Sequence, residues 1–183
     1  HKNTILRKLK YTNDLSFVKY VHVEPSNHSY LQIEYKEDMF LKGYFQSEKY
    51  FNHNRQKILE LFSPQKQIDS FLNNKYADII NSDNSVSVHV RRGDYLKLSE
   101  FHAVLGKDDC FFVDKQDDVL DLYLMSKITN NVIANSSFSW WGAWMNENKN
   151  KTVVCPSRWF GPQNSHLSRK DLTPTSWNVI ILE

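Results

Sequence analysis

The spacing of apolar residues along this chain changes near residue 85. Between residues 67 and 80, apolar side chains recur at intervals of three and four, which predicts a helix with one face on a core. Beyond residue 85, short β-branched runs alternate with helical stretches. Strands are predicted at residues 86–90, 131–135, 152–155 and 179–182, and helices at 117–127 and 136–145. This alternation predicts a parallel α/β sheet of Rossmann type.

The first 84 residues have a less regular pattern. Residues 17–23 are predicted to pair as a strand, and residues 29–35 (SYLQIEY) alternate apolar with polar, which predicts a second one. The aromatic segment 43–51 (GYFQSEKYF) leads into a predicted helix that ends before Pro64. We therefore divide the chain into residues 1–84 and 85–183. The ligand site of the second part should lie beyond the carboxyl ends of its strands.

Composition excludes several classes of protein. The 183 residues are 40% hydrophobic and 24% charged, which excludes a disordered chain. No stretch reaches the roughly 18 to 20 apolar residues of a membrane span. The balance of 23 basic against 21 acidic residues is too even for binding nucleic acid mainly through phosphate neutralisation. Any anion that this protein binds must therefore contact a local cluster of positively charged side chains. Cys110 and Cys155 are predicted to be buried thiols, not a disulfide, in a reducing compartment.

Two arginines follow the predicted strand at residues 86–90. The segment HVRRGDY (residues 89–95) places Arg91, Arg92 and Asp94 in one turn with a glycine. A guanidinium offers phosphate a planar fork of donors that stays charged at any working pH, so a pair of them suits a diphosphate. A structural ion pair between an arginine and Asp94 is the alternative that spacing leaves open. For His89, between two valines, a core position and a ligand contact both remain open.

A second candidate segment, NSSFSWWGAW (residues 135–144), places small hydroxyl residues at the predicted start of a helix. Free backbone N–H groups and the positive end of the helix dipole favour an anion there. The alternative is ordinary N-capping by Ser136 or Ser137, followed by a helix whose tryptophans pack in the core. The sequence shows no Ser/His/Asp order, no metal-ligand cluster and no glycine-rich dinucleotide fingerprint, which favours a metal-free mechanism.

Five ordered segments together resemble the bacterial alpha-1,2-fucosyltransferase family, which is glycosyltransferase family 11. The most specific are HVRRGDY (89–95) and the segment from 131 to 144. DLYLMS (121–126), GYFQSEKYF (43–51) and PSRWF (156–160) support them. The resemblance covers about residues 30–165.

The resemblance implies a two-lobed glycosyltransferase of the GT-B kind. Residues 1–84 would be what remains of the acceptor-side lobe, and residues 85–183 would form the Rossmann-like lobe that binds the sugar nucleotide. It implies inverting transfer of L-fucose from GDP-fucose to the 2-hydroxyl of a galactose-terminated glycan, with neither a metal ion nor another cofactor. It also implies a cytoplasmic protein with at most peripheral contact with the inner face of the membrane, and no nucleic-acid partner.

Residue roles carry over by position. Arg91 would hold the β-phosphate of the donor, and its guanidinium would stabilise the charge that builds up as GDP departs. Asp94 is the nearest candidate in sequence for the base that accepts the proton of the attacking hydroxyl. The remaining residues would bind the donor or shape its loop: His89, Arg92, Asn135, Ser136, Ser137, Phe138 and Ser139.

Two parts of the family pattern have no counterpart in this sequence. The usual opening segment of the type GGLGNQ does not precede Tyr30, and a helix and a strand that the family carries are missing between Gly106 and Asp109. We interpret these as segments omitted from a longer protein. Two other functions stay open: a catalytically inactive sugar-nucleotide or carbohydrate-binding domain, and a nucleotide-binding α/β module of another transferase or a phosphatase.

Overall fold

The computed structural model describes residues 19–90, 110–113 and 116–181, which form two parallel sheets with helices. The first sheet pairs β1 (Tyr20–Val23) with β2 (Met39–Lys42). The second contains β3 (Val86–Val88), β4 (Asn130–Val132), β5 (Val153–Pro156) and β6 (Asn178–Ile180), in that spatial order. The helices are α1 (Arg55–Leu61), α2 (Lys66–Lys75), α3 (Ala77–Ile80), α4 (Asp118–Lys127) and α5 (Ser137–Met145).

The predicted parallel α/β sheet is confirmed. All neighbouring strands of the four-stranded sheet run parallel, and Val88 lies opposite Val132. Parallel neighbours need a crossover, and here α4 precedes β4 while α5 joins β4 to β5. Asp117 caps α4, because its side chain accepts from the backbone N–H of Val119 at 2.8 Å. A Rossmann-like arrangement is therefore present, while the two-lobed GT-B form stays a prediction.

Helices α4 and α5 form a layer on one face of this sheet. A Cβ atom at Gly142 would lie 3.1 Å from Cβ of Met125, so the glycine allows the two helices to approach closely. Asn131 is fully buried beneath them, and its amide donates to the backbone oxygen of Met125 at 2.8 Å and to Oγ of Ser87 at 2.7 Å. Val86, which precedes Ser87 and so faces the other way, is half exposed.

Trp140 and Trp144 of α5 are core residues, which agrees with the packing alternative for this segment, while Trp141 is only partly buried. Trp140 and Trp144 are buried with Trp177, and Phe51 packs among them, with its ring 5.3 Å from both the Trp141 and Trp144 rings. This aromatic cluster joins the first part of the chain to the four-stranded sheet.

A second connection between the two parts centres on Asp171. Its carboxylate accepts from the Lys49 ammonium at 2.5 Å and from the Tyr30 backbone N–H at 3.0 Å. Its backbone oxygen accepts from the Ser47 hydroxyl at 2.6 Å. The hydrogen bond from Lys49 lowers the pKa of Asp171 below its usual value. The 43–51 segment is therefore fixed to the loop that precedes β6.

Some local predictions were wrong. Residues 29–35 form no strand, and β2 was not predicted at all. The helix predicted over 67–80 is two helices, because the backbone leaves helical geometry at Tyr76 (φ −119°, ψ 24°). Both cysteines are free thiols, as predicted, but only Cys155 is buried, while Cys110 is partly exposed.

Two cations satisfy carbonyl groups at the carboxyl end of α5. The Lys151 ammonium donates to the oxygens of Ala143 at 2.9 Å and Asn146 at 2.5 Å, and Arg55 donates to the oxygen of Trp144 at 2.6 Å. Burial, with a smaller effect of the nearby Arg55 charge, lowers the pKa of Lys151 to about 8. This lysine loses its proton more easily in the folded than in the unfolded chain.

The Lys151 side chain should make stability depend on pH. Between a folded pKa of about 8 and the ordinary value of 10.5, the unfolded chain keeps a proton that the folded chain has lost. The free energy of unfolding should therefore rise with pH across this interval, by on the order of 1 kcal/mol given the partial exposure of the side chain. Urea denaturation at several pH values should show that Lys151→Met loses this rise, while Lys149→Met, at an exposed neighbour, keeps it. Equal slopes in all three proteins would contradict the assignment.

Candidate functional site

The carboxyl ends of β3, β4 and β5 meet at one edge of the sheet. The backbone N–H of His89, just after β3, donates to the oxygen of Val132 at 3.0 Å. The side-chain amide of Asn135, after β4, donates to the oxygen of Trp159, after β5, at 3.3 Å. Three loops therefore lie side by side. The structure brings the start of one predicted segment, at His89, to the same edge as the other, at Asn135.

Helix α5 begins at this edge. Ser136 is its N-cap residue, with extended backbone (φ −143°, ψ 130°), but its side chain makes no capping hydrogen bond. The first bond within the helix runs from the Trp140 N–H to the Ser136 oxygen at 3.0 Å. Backbone N–H groups of the first turn have no partner inside a helix, and the positive end of the dipole lies with them. These groups can bind an anion such as phosphate.

The predicted residues of α5 differ in exposure. Ser137 is exposed, and Phe138 is half-buried with its ring 5.5 Å from the His89 ring. Ser139 is fully buried, and its hydroxyl donates to the oxygens of Ala134 at 3.4 Å and Ser136 at 3.3 Å. Ser137 is therefore accessible to solvent at the start of the helix, whereas Ser139 holds the loop between β4 and α5.

The arginine loop itself lies outside the described residues. The structure describes this part of the chain only as far as Val90. The roles of Arg91, Arg92 and Asp94 therefore stay predictions. His89 fixes the point from which that loop leaves the sheet.

Glu24 was missed by the sequence analysis. This carboxylate follows β1 and is buried, with its side chain 2% exposed. It accepts hydrogen bonds from the backbone N–H groups of Tyr44 and Phe45 and from His28. The available signal for this residue in the sequence was its position, directly after an apolar strand and before Pro25. Its two backbone partners, however, lie in the turn after β2, about 20 residues away, which no local pattern reveals.

A metal site and a membrane-spanning helix are both absent from the described part of the chain. Within it, no group of three or more histidine, cysteine, aspartate or glutamate side chains is close enough to hold a metal ion. No helix among those residues is long and apolar enough to cross a membrane. The predictions about metal dependence and location stay predictions.

Comparison with known proteins identifies relatives. The family described as Glycosyl transferase family 11 matches residues 1–115. The chain is 30% identical to the O-antigen biosynthesis glycosyltransferase WbnK of Escherichia coli over 218 residues, which include 94% of this chain and 68% of the relative. It is also 30% identical to an alpha-1,2-colitosyltransferase of Escherichia coli over 179 residues, covering 74% of this chain and 60% of that protein. No solved structure matches.

The WbnK alignment extends over more residues than this chain contains. Its 218 positions exceed the 183 residues by 35, so at least that many positions of the aligned region have no counterpart here. This agrees with the expectation that internal parts of the family pattern are missing from this sequence.

Proposed function

Because the chain belongs to glycosyl transferase family 11, we propose that it transfers L-fucose from GDP-fucose to the 2-hydroxyl of a galactose-terminated glycan. The transfer inverts the anomeric carbon and needs no metal ion or other cofactor. One observation carries the proposal: the ring contact between His89 and Phe138, which brings the strand that leads to Arg91 beside the start of α5. We also propose a cytoplasmic location with at most peripheral membrane contact.

The diphosphate of the donor would bind at the carboxyl edge of β3 and β4. The first-turn N–H groups of α5 and the exposed Ser137 supply donors to its oxygens there. In the proposal, Arg91 adds a charged, planar fork of donors to the diphosphate. Asn135 connects the loop after β4 to the loop after β5, because its side-chain amide donates to the oxygen of Trp159.

In the reaction, the acceptor oxygen forms a bond to the anomeric carbon while the bond from that carbon to the β-phosphate oxygen breaks. The electron pair of the broken bond stays on GDP, so negative charge grows on the phosphate as the sugar becomes oxocarbenium-like. A preorganised guanidinium at Arg91 stabilises that charge most where water is excluded. The proton of the acceptor hydroxyl passes to a carboxylate, for which we propose Asp94.

The experiment is an assay of GDP release from GDP-fucose with lactose as acceptor, in the presence of a metal chelator. Release that depends on lactose, together with a fucosylated product carrying an alpha-1,2 linkage, would support the proposal. Release only with a colitose donor would keep the family but overturn the fucosyl specificity.

The second candidate function is a sugar-nucleotide-binding domain that does not turn its ligand over. The absence of at least 35 aligned positions relative to WbnK favours it, since catalysis needs a complete site. GDP binding without GDP release from GDP-fucose would identify this case.

A carboxylate introduced at the start of α5 should weaken ligand binding without lowering stability. In Ser137→Asp, the new negative charge interacts favourably with the helix dipole, so the melting temperature should stay the same or rise. The same charge repels a diphosphate, and we expect GDP to bind roughly tenfold more weakly. Calorimetric titration and thermal melting of this variant and of Ser137→Ala measure the two effects. Unchanged GDP affinity in Ser137→Asp would exclude the helix start as the phosphate site.

A further inference from the structure

A buried carboxylate organises the carboxyl ends of β1 and β2. Glu24 Oε2 accepts from the Tyr44 N–H at 2.8 Å and from Nδ1 of His28 at 2.9 Å, and Oε1 accepts from the Phe45 N–H at 2.9 Å. Both oxygens are therefore occupied by donors from two separate loops. A buried charge of this kind is tolerated because each oxygen is hydrogen-bonded.

The backbone around this carboxylate adopts conformations that side chains normally avoid. His28 (φ 58°) and Phe45 (φ 49°) are left-handed, although neither is glycine. Gly43 has φ 159°, and a Cβ atom there would lie 2.4 Å from Cβ of Glu24. Such conformations persist only where surrounding contacts hold them, and they concentrate at functional sites. The hydrogen bonds to Glu24 are the contacts that hold them here.

The turn presents one aromatic ring to solvent. Tyr44 is 75% exposed although its backbone N–H is fixed on Glu24. The ring of His28 lies edge-on to it, with centroids 5.2 Å apart. A carboxylate accepts only, so Nδ1 of His28 donates this hydrogen bond, and Nε2 is the second hydrogen-bonding atom of the ring. A rigid aromatic surface therefore lies beside a hydrogen-bonding imidazole.

We propose that Tyr44 and His28, held by Glu24, form a subsite for a sugar ring of the acceptor glycan, which rests on the proposed transferase function. A pyranose ring has an apolar face of C–H groups and a rim of hydroxyls. The face packs on the exposed Tyr44 ring, and a hydroxyl forms a hydrogen bond with Nε2 of His28. Glu24 is a positioning residue in this subsite, because its atoms are occupied by the loop and it acts through Tyr44 and His28.

The test measures transfer kinetics with lactose as acceptor and GDP-fucose as donor. In Tyr44→Ala, the KM for lactose should rise roughly tenfold while the KM for GDP-fucose stays unchanged. Tyr44→Phe, which keeps the ring, should stay near the wild-type value. Tyr35→Ala removes a tyrosine that is 85% exposed and is the matched control, with no expected change. Glu24→Gln should raise the KM for lactose and leave the KM for GDP-fucose alone.

The outcomes separate this subsite from the transferase itself. If the wild type transfers fucose to lactose and Tyr44→Ala keeps the same KM for lactose, or loses donor and acceptor affinity together, the subsite is excluded and the transferase stands. If the wild type transfers no fucose, the proposed function fails, and lactose binding is measured by saturation-transfer NMR. Loss of that signal in Tyr44→Ala alone then supports the subsite. A signal that is absent in the wild type or unchanged in the variant excludes it.

Discussion

Replacing Arg91 with alanine is expected to lower the rate of the proposed fucose transfer by about a hundredfold or more, with no change in melting temperature. Loss of one preorganised donor to a developing charge typically has this effect, because the stabilisation exists mainly in the transition state. The measurement is kcat for GDP release with saturating GDP-fucose and lactose, together with a thermal melt of the same preparation.

Arg91→Lys is the matched variant for this prediction. Lysine keeps the positive charge but loses the planar fork, so its rate should fall between those of the wild type and Arg91→Ala. Near-normal transfer by Arg91→Ala would show that another group stabilises the leaving phosphate. A large fall in melting temperature would instead favour the structural ion pair with Asp94.

The second large effect is on stability, at Trp140. This residue is 6% exposed, its ring lies 5.5 Å from the Trp177 ring, and its Nε1 donates to the oxygen of Leu172 at 2.9 Å. Trp140→Ala removes a large core side chain and leaves that oxygen without its donor. We expect the free energy of unfolding to fall by about 3 to 5 kcal/mol, measured by chemical denaturation.

Two variants test the cause of this loss. Trp140→Phe keeps an aromatic ring but not the donor, so it should lose about 1 to 3 kcal/mol. Trp141→Ala changes a ring that is only partly buried and should cost less than Trp140→Ala. A loss below about 1 kcal/mol in Trp140→Ala would mean that this ring does not join α5 to the loop at Leu172.

The four-stranded sheet could be predicted because its signals are local. The signals are β-branched runs for the strands, the capping residue Asp117 for α4 and the small polar residues before Ser137 for α5. Each signal lies in or next to the element that it defines. The failure at residues 29–35 has the opposite cause. The alternation there suggested a strand, but Leu31 is half exposed and Tyr35 is 85% exposed, so no sheet face buries the apolar positions.

The candidate site was predictable only in part. The segments at His89 and Ser137 were identified because strand ends and helix starts have recognisable sequences. The subsite at Glu24 was not, because its partners at Tyr44 and Phe45 are brought together by the pairing of β1 with β2, and β2 is only four residues long. The residues of β2 (MFLK) also show no alternation of apolar with polar, so their pattern did not identify a strand.

The most direct test of the proposed donor site is hydrogen–deuterium exchange of the wild-type protein with and without saturating GDP. The proposal predicts slower exchange at residues 89–94 and 135–139, at the carboxyl edge of the sheet, and no change at residues 149–152, at its amino edge. Slower exchange at the amino edge alone, or no slowing at 135–139 when GDP is bound, would contradict it.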